Sequence, residues 1–302
     1  MRDIADEIPG LIVKLVARDT RAIEIGKILT TLSDGVTRRL ILLAEEQFGS
    51  PPCDYAWVAL GSQGRFEQSA KSDQDNAFVL DDGWKPEDDA YFAAMAKIVN
   101  DGLHECGYVY CPGDVMGSNP KWRQPLKVWK KYFNRWITVP EEKALMHANI
   151  FFDLRSVYGS SGLVDDLKKS IRDDARRNEL FLALMAKNAM NFQPPLGFFR
   201  QFVLEKSGDH KNTLDIKKHG IMPIVEIARI RALAAGEMRI TTRNRLRAAA
   251  KAGEINESDA ASLIDALDFI EKLRIEHQNR QLHAGKRPDN HLSPDELSSL
   301  VR

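Results

Sequence analysis

Residues 55–82 read YAWVALGSQGRFEQSAKSDQDNAFVLDD, and the fold turns on them. The run YAWVAL from Tyr55 is apolar and β-favouring, and Gly61 stops it abruptly; NAFVLDD from Asn76 is a second such run, ended by Asp82-Gly83. Between the two stand Gly61-Ser62, room for a short helix, and then Ser72-Asp73-Gln74-Asp75. Gly61 has no β-carbon, so a phosphate can approach its backbone closely. Ser62 offers a hydroxyl, and the amides that follow open a helix, whose start favours anions. Gly64 allows a tight entry, and Arg65 presents a charged fork to phosphate oxygens. Asp73 and Asp75, two apart at the start of an extended segment, project from the same face. Two carboxylates there suit a hard cation such as magnesium. A lone Gly-Ser pair usually marks only a turn, and a lone D-x-D is often a solvated strand end. In this order, between two strands, the combination is specific.

Upstream, Leu11, Val13, Leu15 and Val16, then Ile25, Ile28, Leu29 and Leu32, then Val36, Leu40 and Leu43 keep helical spacing, which predicts two helices ending near Phe48-Gly49. Downstream, Pro86 suits a first helical turn, and Tyr91, Met95, Ile98 and Val99 share a face, predicting a helix over 86–106. YVYC at 108–111 reads as a third strand before the turn-rich PGDVMGSNP. Helical patterns return at 121–136 and 141–148, and NIFFDLRSVYG at 149–159 reads as another strand. Beyond Gly159 the pattern is helical to the end. The expectation is an α+β chain: an N-terminal helical segment at 1–48, an α/β centre at 49–160 and an all-helical domain at 161–302.

The bulk properties narrow the function classes. Lys plus Arg and Asp plus Glu are equal at 43 each, so the net charge is zero, which argues against a nucleic-acid duplex as partner. The N-terminal sequence lacks the pattern of a leader peptide and no apolar run approaches a membrane span, so a cytoplasmic protein with no membrane partner is expected. Cys53, Cys106 and Cys111 are too few and too scattered for a disulfide framework, and with His104 fall short of a zinc site.

GSQGRFEQSAKSDQDNAFV resembles the signature of nucleotidyltransferases of the DNA polymerase β superfamily: Gly-Ser, a short spacer, then D-x-D. Its GSxGRxE…SDxDN form is similar to a bacterial nucleotidyltransferase-like family of unassigned function, often attached to CBS and cyclic-nucleotide-binding domains. It is similar in turn to the catalytic domain of the uridylyltransferase that modifies the PII signalling protein. CPGDVMGSNPKW, Trp129, Trp136, IFFDLRSVYG, QPPLGFF, LDIKKHGI and PDNHLSPDELS extend the likeness over nearly the whole chain. The resemblance implies a mixed sheet flanked by helices. It also implies transfer of a nucleoside monophosphate from ATP or UTP to a hydroxyl, with a protein as the expected acceptor. Two Mg2+ ions, or Mn2+ in their place, would sit on Asp73 and Asp75. It implies too a third carboxylate on a later strand, as metal ligand or base. Asp153 is the choice, since a carboxylate in an aromatic run is costly without a metal or charge partner; the alternative is an ion pair with Arg155. Asp114 competes for the role but also suits a turn.

Other residues have plainer readings. Trp122, Trp129 and Trp136 recur every seven residues and are expected to pack in the core. Glu67 is expected to pair with Arg65 or Lys71. Lys217, Lys218 and His219 form a small basic cluster, by default exposed but able to meet a triphosphate. Arg243, Arg245, Arg247 and Lys251 read as a solvated helix face, or second as one with an acidic partner. Two further functions stay open: transfer to a small molecule, and nucleotide sensing or partner docking without catalysis.

Overall fold

A computed structural model gives the fold; it describes residues 2–140, 149–192, 204–205, 207–208 and 210–294. Helices α1 (Arg2–Ala17) and α2 (Ala22–Phe48) lead into strand β1 (Tyr55–Ala59), the one-turn helix α3 (Gly61–Gly64) and strand β2 (Asn76–Leu80). Helix α4 (Asp89–Glu105), strand β3 (Arg123–Pro125), helix α5 (Leu126–Thr138), strand β4 (Arg155–Gly159) and helix α6 (Ser161–Ala175) complete the centre. Helices α7 (Glu179–Ala189), α8 (Met222–Ala234), α9 (Thr242–Lys251) and α10 (Glu257–His283) follow, with a small ribbon of β5 (Leu214–Asp215) and β6 (His291–Leu292). Among the described residues no helix is long and apolar enough to cross a membrane.

The main sheet has the order β3-β2-β1-β4. Strand β1 runs antiparallel to β2, with Tyr55 opposite Leu80 and Ala59 opposite Asn76, and antiparallel to β4 with a bulge between Trp57 and Val58; β2 and β3 are parallel. Every residue of β1 and β2 is buried. Tyr55, Trp57, Ala59, Phe78 and Leu80 pack toward α2 and α4, whereas Ala56, Val58, Ala77 and Val79 pack toward α5 and α6. Helices on both faces explain why these strands are continuous apolar runs with no alternation. The expected mixed sheet flanked by helices is what forms.

Three expectations shift. YVYC contributes a single bridge, Asp73 with Val109, rather than a strand, because Pro112-Gly113 turn the chain away at once. The third strand is Arg123–Pro125, where a helix was expected. Pro125 caps helix α5 in an extended conformation and presses its predecessor to extend as well. Strand β4 begins only at Arg155. Phe151 and Phe152, just before it, are drawn into a cluster with Trp122, Trp129, Phe133, Trp136 and Phe181. The three tryptophans are buried there as expected, with Trp122 4.4 Å from Phe151 between ring centres. The helix expected at 141–148 and the QPPLGFF stretch lie outside the described residues.

Helix α10 ties the ends of the chain together. Its Ile275 packs with Ile12 of α1 and Ile25 and Leu29 of α2, while Leu267 joins Ile221, Ile224, Val225, Ala228 and Leu246 in a separate C-terminal core.

Candidate active site

The chain leaves β1 at Ala59 and turns sharply through Gly61, whose φ of +53° is left-handed. A β-carbon at Gly61 would lie 2.8 Å from Asp75 Oδ2, so glycine is required both by conformation and by the carboxylate beside it. The Leu60 amide donates to the Asp75 carbonyl at 2.9 Å, fixing turn and acidic segment together. Asp73 and Asp75 remain partly exposed while Gln74 between them is buried. The Gln74 side chain donates to the Asn100 and Tyr108 carbonyls at 2.9 and 3.0 Å and accepts from Asn100 Nδ2 at 2.8 Å. The alternation of an extended segment therefore presents both aspartates together. Asn76 continues the anchorage: its Oδ1 accepts from Asn100 and from the Gly117 amide at 3.1 and 2.8 Å.

The charge balance of the pair is uneven. Burial first, then the neighbouring Asp73 charge, push the Asp75 carboxyl up to about 6; a hydrogen bond from Cys111 and the charges of Lys217 and Arg65 pull the other way. Burial also raises the Cys111 thiol to about 12, with Asp75 adding to the rise. Lys217 arrives from the C-terminal region. Leu214-Asp215 pair with His291-Leu292, and the Ile216 amide donates to the Asn290 carbonyl at 2.9 Å. A π-helical turn, Lys217–Ile221, follows, a rare conformation enriched at functional sites. Burial first, then Arg274, lower the Lys217 amine, and Asp73 and Asp75 oppose them. Arg274 is driven down to about 10, chiefly by burial, and its Nε donates to Asn290 Oδ1 at 2.8 Å. LDIKKHGI and PDNHLS thus meet in one ribbon, and from beside it the charge of Lys217 bears on the acidic pair.

The turn is braced from beneath. Arg155 makes a two-pronged pair with Asp34 at 2.7 and 2.9 Å, donates to the Gln63 and Gly64 carbonyls at 3.1 and 3.3 Å, and stacks over Phe66. Gln63 Nε2 donates to Asp34 at 3.0 Å. Sequence reading missed Asp34, which sits inside the long helix α2; the one available signal is the polar strip Ser33, Asp34, Thr37 on its buried side.

Two expected site residues are engaged elsewhere. Asp153 lies in a turn before β4, its side chain wholly inaccessible. Its carboxylate accepts from Arg65 at 2.5 Å, from Arg229 at 2.6 Å and from Arg245. Burial alone would raise this carboxyl, but Arg229, Arg245 and Arg65 hold it far below the usual range. In this arrangement the Asp153 carboxylate faces arginines rather than open space, and Arg155, the alternative partner, pairs with Asp34 instead. Arg65 is engaged likewise, with Asp153 and, at 2.8 Å, with Glu67, where a contact with phosphate was expected. Gly64 serves packing: a β-carbon there would overlap the Asp153 carbonyl oxygen. Ser62 stays with Gly61 on the helical turn. Asp114 is an exposed turn residue that accepts from Asn119 Nδ2 at 2.8 Å. Arg243 and Arg245 are buried and acid-paired, while Arg247 and Lys251 are exposed, so that helix divides between its two readings. Among the described residues no three His, Cys, Asp or Glu side chains gather into a ready metal cage.

Residues 6–143 match the family described as "Putative nucleotidyltransferase DUF294", and residues 179–302 match its companion, "Putative nucleotidyltransferase substrate binding domain". The chain belongs to this family. No curated protein matches it significantly.

Proposed function

We propose that the protein transfers a nucleoside monophosphate from a nucleoside triphosphate to an acceptor hydroxyl, releasing pyrophosphate. The observation that carries this reading is Asp75 set against Gly61, with the charge of Asp73 beside it on the same extended segment and Asp75 kept short of compensating charge. Two partly exposed carboxylates fit a hard cation that draws its remaining ligands from phosphate oxygens and water, the usual mode for Mg2+. With Asp153 enclosed, the chain offers one cation two carboxylates; a second ion would depend on the triphosphate for most of its ligands. When bound, such an ion neutralises phosphate charge and stabilises the departing pyrophosphate. Gly61 and Ser62 would border the triphosphate, and Lys217, whose charge already bears on the acidic pair, would meet its phosphate oxygens. The acceptor oxygen bonds to the α-phosphorus as the bond from that phosphorus to the bridging oxygen breaks, and the hydroxyl proton passes to solvent or to a carboxylate of the pair. Alignment and charge neutralisation carry most of the rate.

A protein acceptor is our proposal, resting on the sequence resemblance of GSQGRFEQ…SDQDN alone. The test is incubation with α-labelled ATP, UTP, GTP and CTP and Mg2+ in extract of the source cell, following pyrophosphate and label. Label on a macromolecule supports protein modification, and label on a small molecule supports the small-molecule alternative. Binding without turnover marks a sensing module and sinks the catalytic reading. Asp73→Asn with Asp75→Asn should lower turnover at least about 10³-fold while the fold persists.

A further inference from the structure

One group takes no part in the proposed transfer: six acidic and basic side chains buried behind the glycine turn. Asp153 accepts from Arg65, Arg229 and Arg245; Arg65 also pairs with Glu67, and Arg229 Nη1 lies 2.5 Å from Glu226 Oε1. Three arginines meet three acids, so the group is neutral, and all six side chains are nearly inaccessible. Glu67 also accepts from the amide and hydroxyl of Thr242 at 2.9 and 3.0 Å, at the start of α9. Arg245 Nη2 donates to the Phe152 carbonyl at 3.2 Å. The contacts of Asp153 with Arg229 and Arg245, of the Phe152 carbonyl with Arg245, and of Glu67 with Thr242 span one boundary, while Arg65–Glu67 and Arg229–Glu226 each lie on one side of it. Arg65 and Glu67 follow directly on the turn, Gly64 packs on the Asp153 backbone, and Arg229, Arg245 and Thr242 belong to the C-terminal helices.

Buried ion pairs seldom stabilise more than well-packed apolar side chains would, whereas they do fix one geometry among several. An apolar contact could have joined α8 and α9 to the centre. The charges add a fixed orientation for the residue that ends the turn. We propose that Asp153 is a positioning residue: through Arg65 and the Gly64 contact it holds the Gly61–Arg65 turn in its phosphate-accepting shape, with Arg229 and Arg245 of the C-terminal helices setting that hold. The C-terminal region then governs nucleotide affinity as well as the acceptor. This rests on the nucleotidyl-transfer reading.

The experiment is a double-mutant cycle of Asp153→Asn and Arg245→Met, read by thermal unfolding and by equilibrium binding of each Mg2+-bound, α-labelled nucleoside triphosphate. The double variant removes one charge of each sign and keeps the group neutral. It should stay folded and bind nucleotide about tenfold more weakly, no worse than the weaker single variant, as expected when two residues act as one unit. Arg245→Lys keeps the charge but loses the fork, and should weaken binding about threefold even if the other variants fail to fold. Unchanged nucleotide affinity in the folded variants overturns the proposal by making the group merely structural. Losses that multiply across the cycle overturn it as well, because Asp153 would then act independently of Arg245. A wild-type chain that binds none of the four triphosphates overturns the nucleotidyl-transfer reading itself, and this proposal with it.

Discussion

Asp75 and Asp153 both sit against the Gly61–Arg65 turn, and their surroundings drive them in opposite directions. Asp75 has another aspartate as its near neighbour and is raised to about 6; Asp153 has three arginines and is held far below the ordinary range. Each carboxylate is partly or wholly removed from water, so burial pushes both upward. The difference lies in what the chain supplies in return. Around Asp153 the charges are fully matched and no oxygen is left for a ligand. Around Asp75 the match is incomplete, and the deficit faces a partly open surface, where the proposed cation and phosphate would make it good. Uncompensated charge at an accessible edge marks a site, and compensated charge in the interior marks a brace.

The largest expected effect breaks the brace. Asp153→Ala strands three guanidinium groups in the interior and should cost about 3–5 kcal/mol of stability, read by chemical denaturation; a loss below about 1 kcal/mol would mean that the cluster is not the compensated centre described here. Next, Gly61→Ala keeps the brace and disturbs the open pair. A methyl beside Asp75 Oδ2, on a left-handed residue, should weaken metal–nucleotide binding by about 10- to 100-fold with only modest change in stability. Equal binding would separate the turn from the site.

Lys217→Met removes a C-terminal cation whose charge bears on the pair. The nucleotide KM should rise about tenfold, with kcat changed less, on steady-state kinetics. The smallest effect follows from linkage. Asp75 titrates near 6 in the folded protein and near 3.8 when unfolded, so between those values the folded state holds more protons and stability falls as pH rises. At pH 7–8 the ionised carboxylate is therefore a liability, absent below about pH 4. Asp75→Asn should raise thermal stability at pH 8 by about 1 kcal/mol, discounting for partial exposure, and the gain should vanish toward pH 4. A variant less stable than wild type at pH 8 would contradict the deficit assigned to Asp75.

Much of this was legible in the sequence, for identifiable reasons. Two apolar runs bracketing Gly-Ser and D-x-D already pointed to β1, β2 and the turn, because a strand buried on both faces leaves no doubt about its β-branched and aromatic character. The tryptophan spacing likewise announced a packed core. Arg123–Pro125 was hidden inside the stretch 121–136 that reads as helical, because three residues are too few to show a period of their own, and their strand pairing comes from β2, a partner distant in sequence. Asp153 misled because its sequence surroundings, FFDLR, supply only one cation nearby; the three that claim it come from positions 65, 229 and 245, which folding alone brings together. Lys217 was a visible cluster without a visible target. Its role depends on the β5–β6 ribbon, whose two strands lie more than seventy residues apart.

The most direct test of the account is electron paramagnetic resonance of Mn2+ titrated into the protein with each of the four nucleoside triphosphates. It compares the wild-type chain with the Asp73→Asn, Asp75→Asn double variant at pH 8. A protein-bound Mn2+–nucleotide signal is expected in the wild type, and its loss in a double variant that remains folded and is no less heat-stable. An equal signal from both proteins would contradict it, since the cation would then rest on other groups.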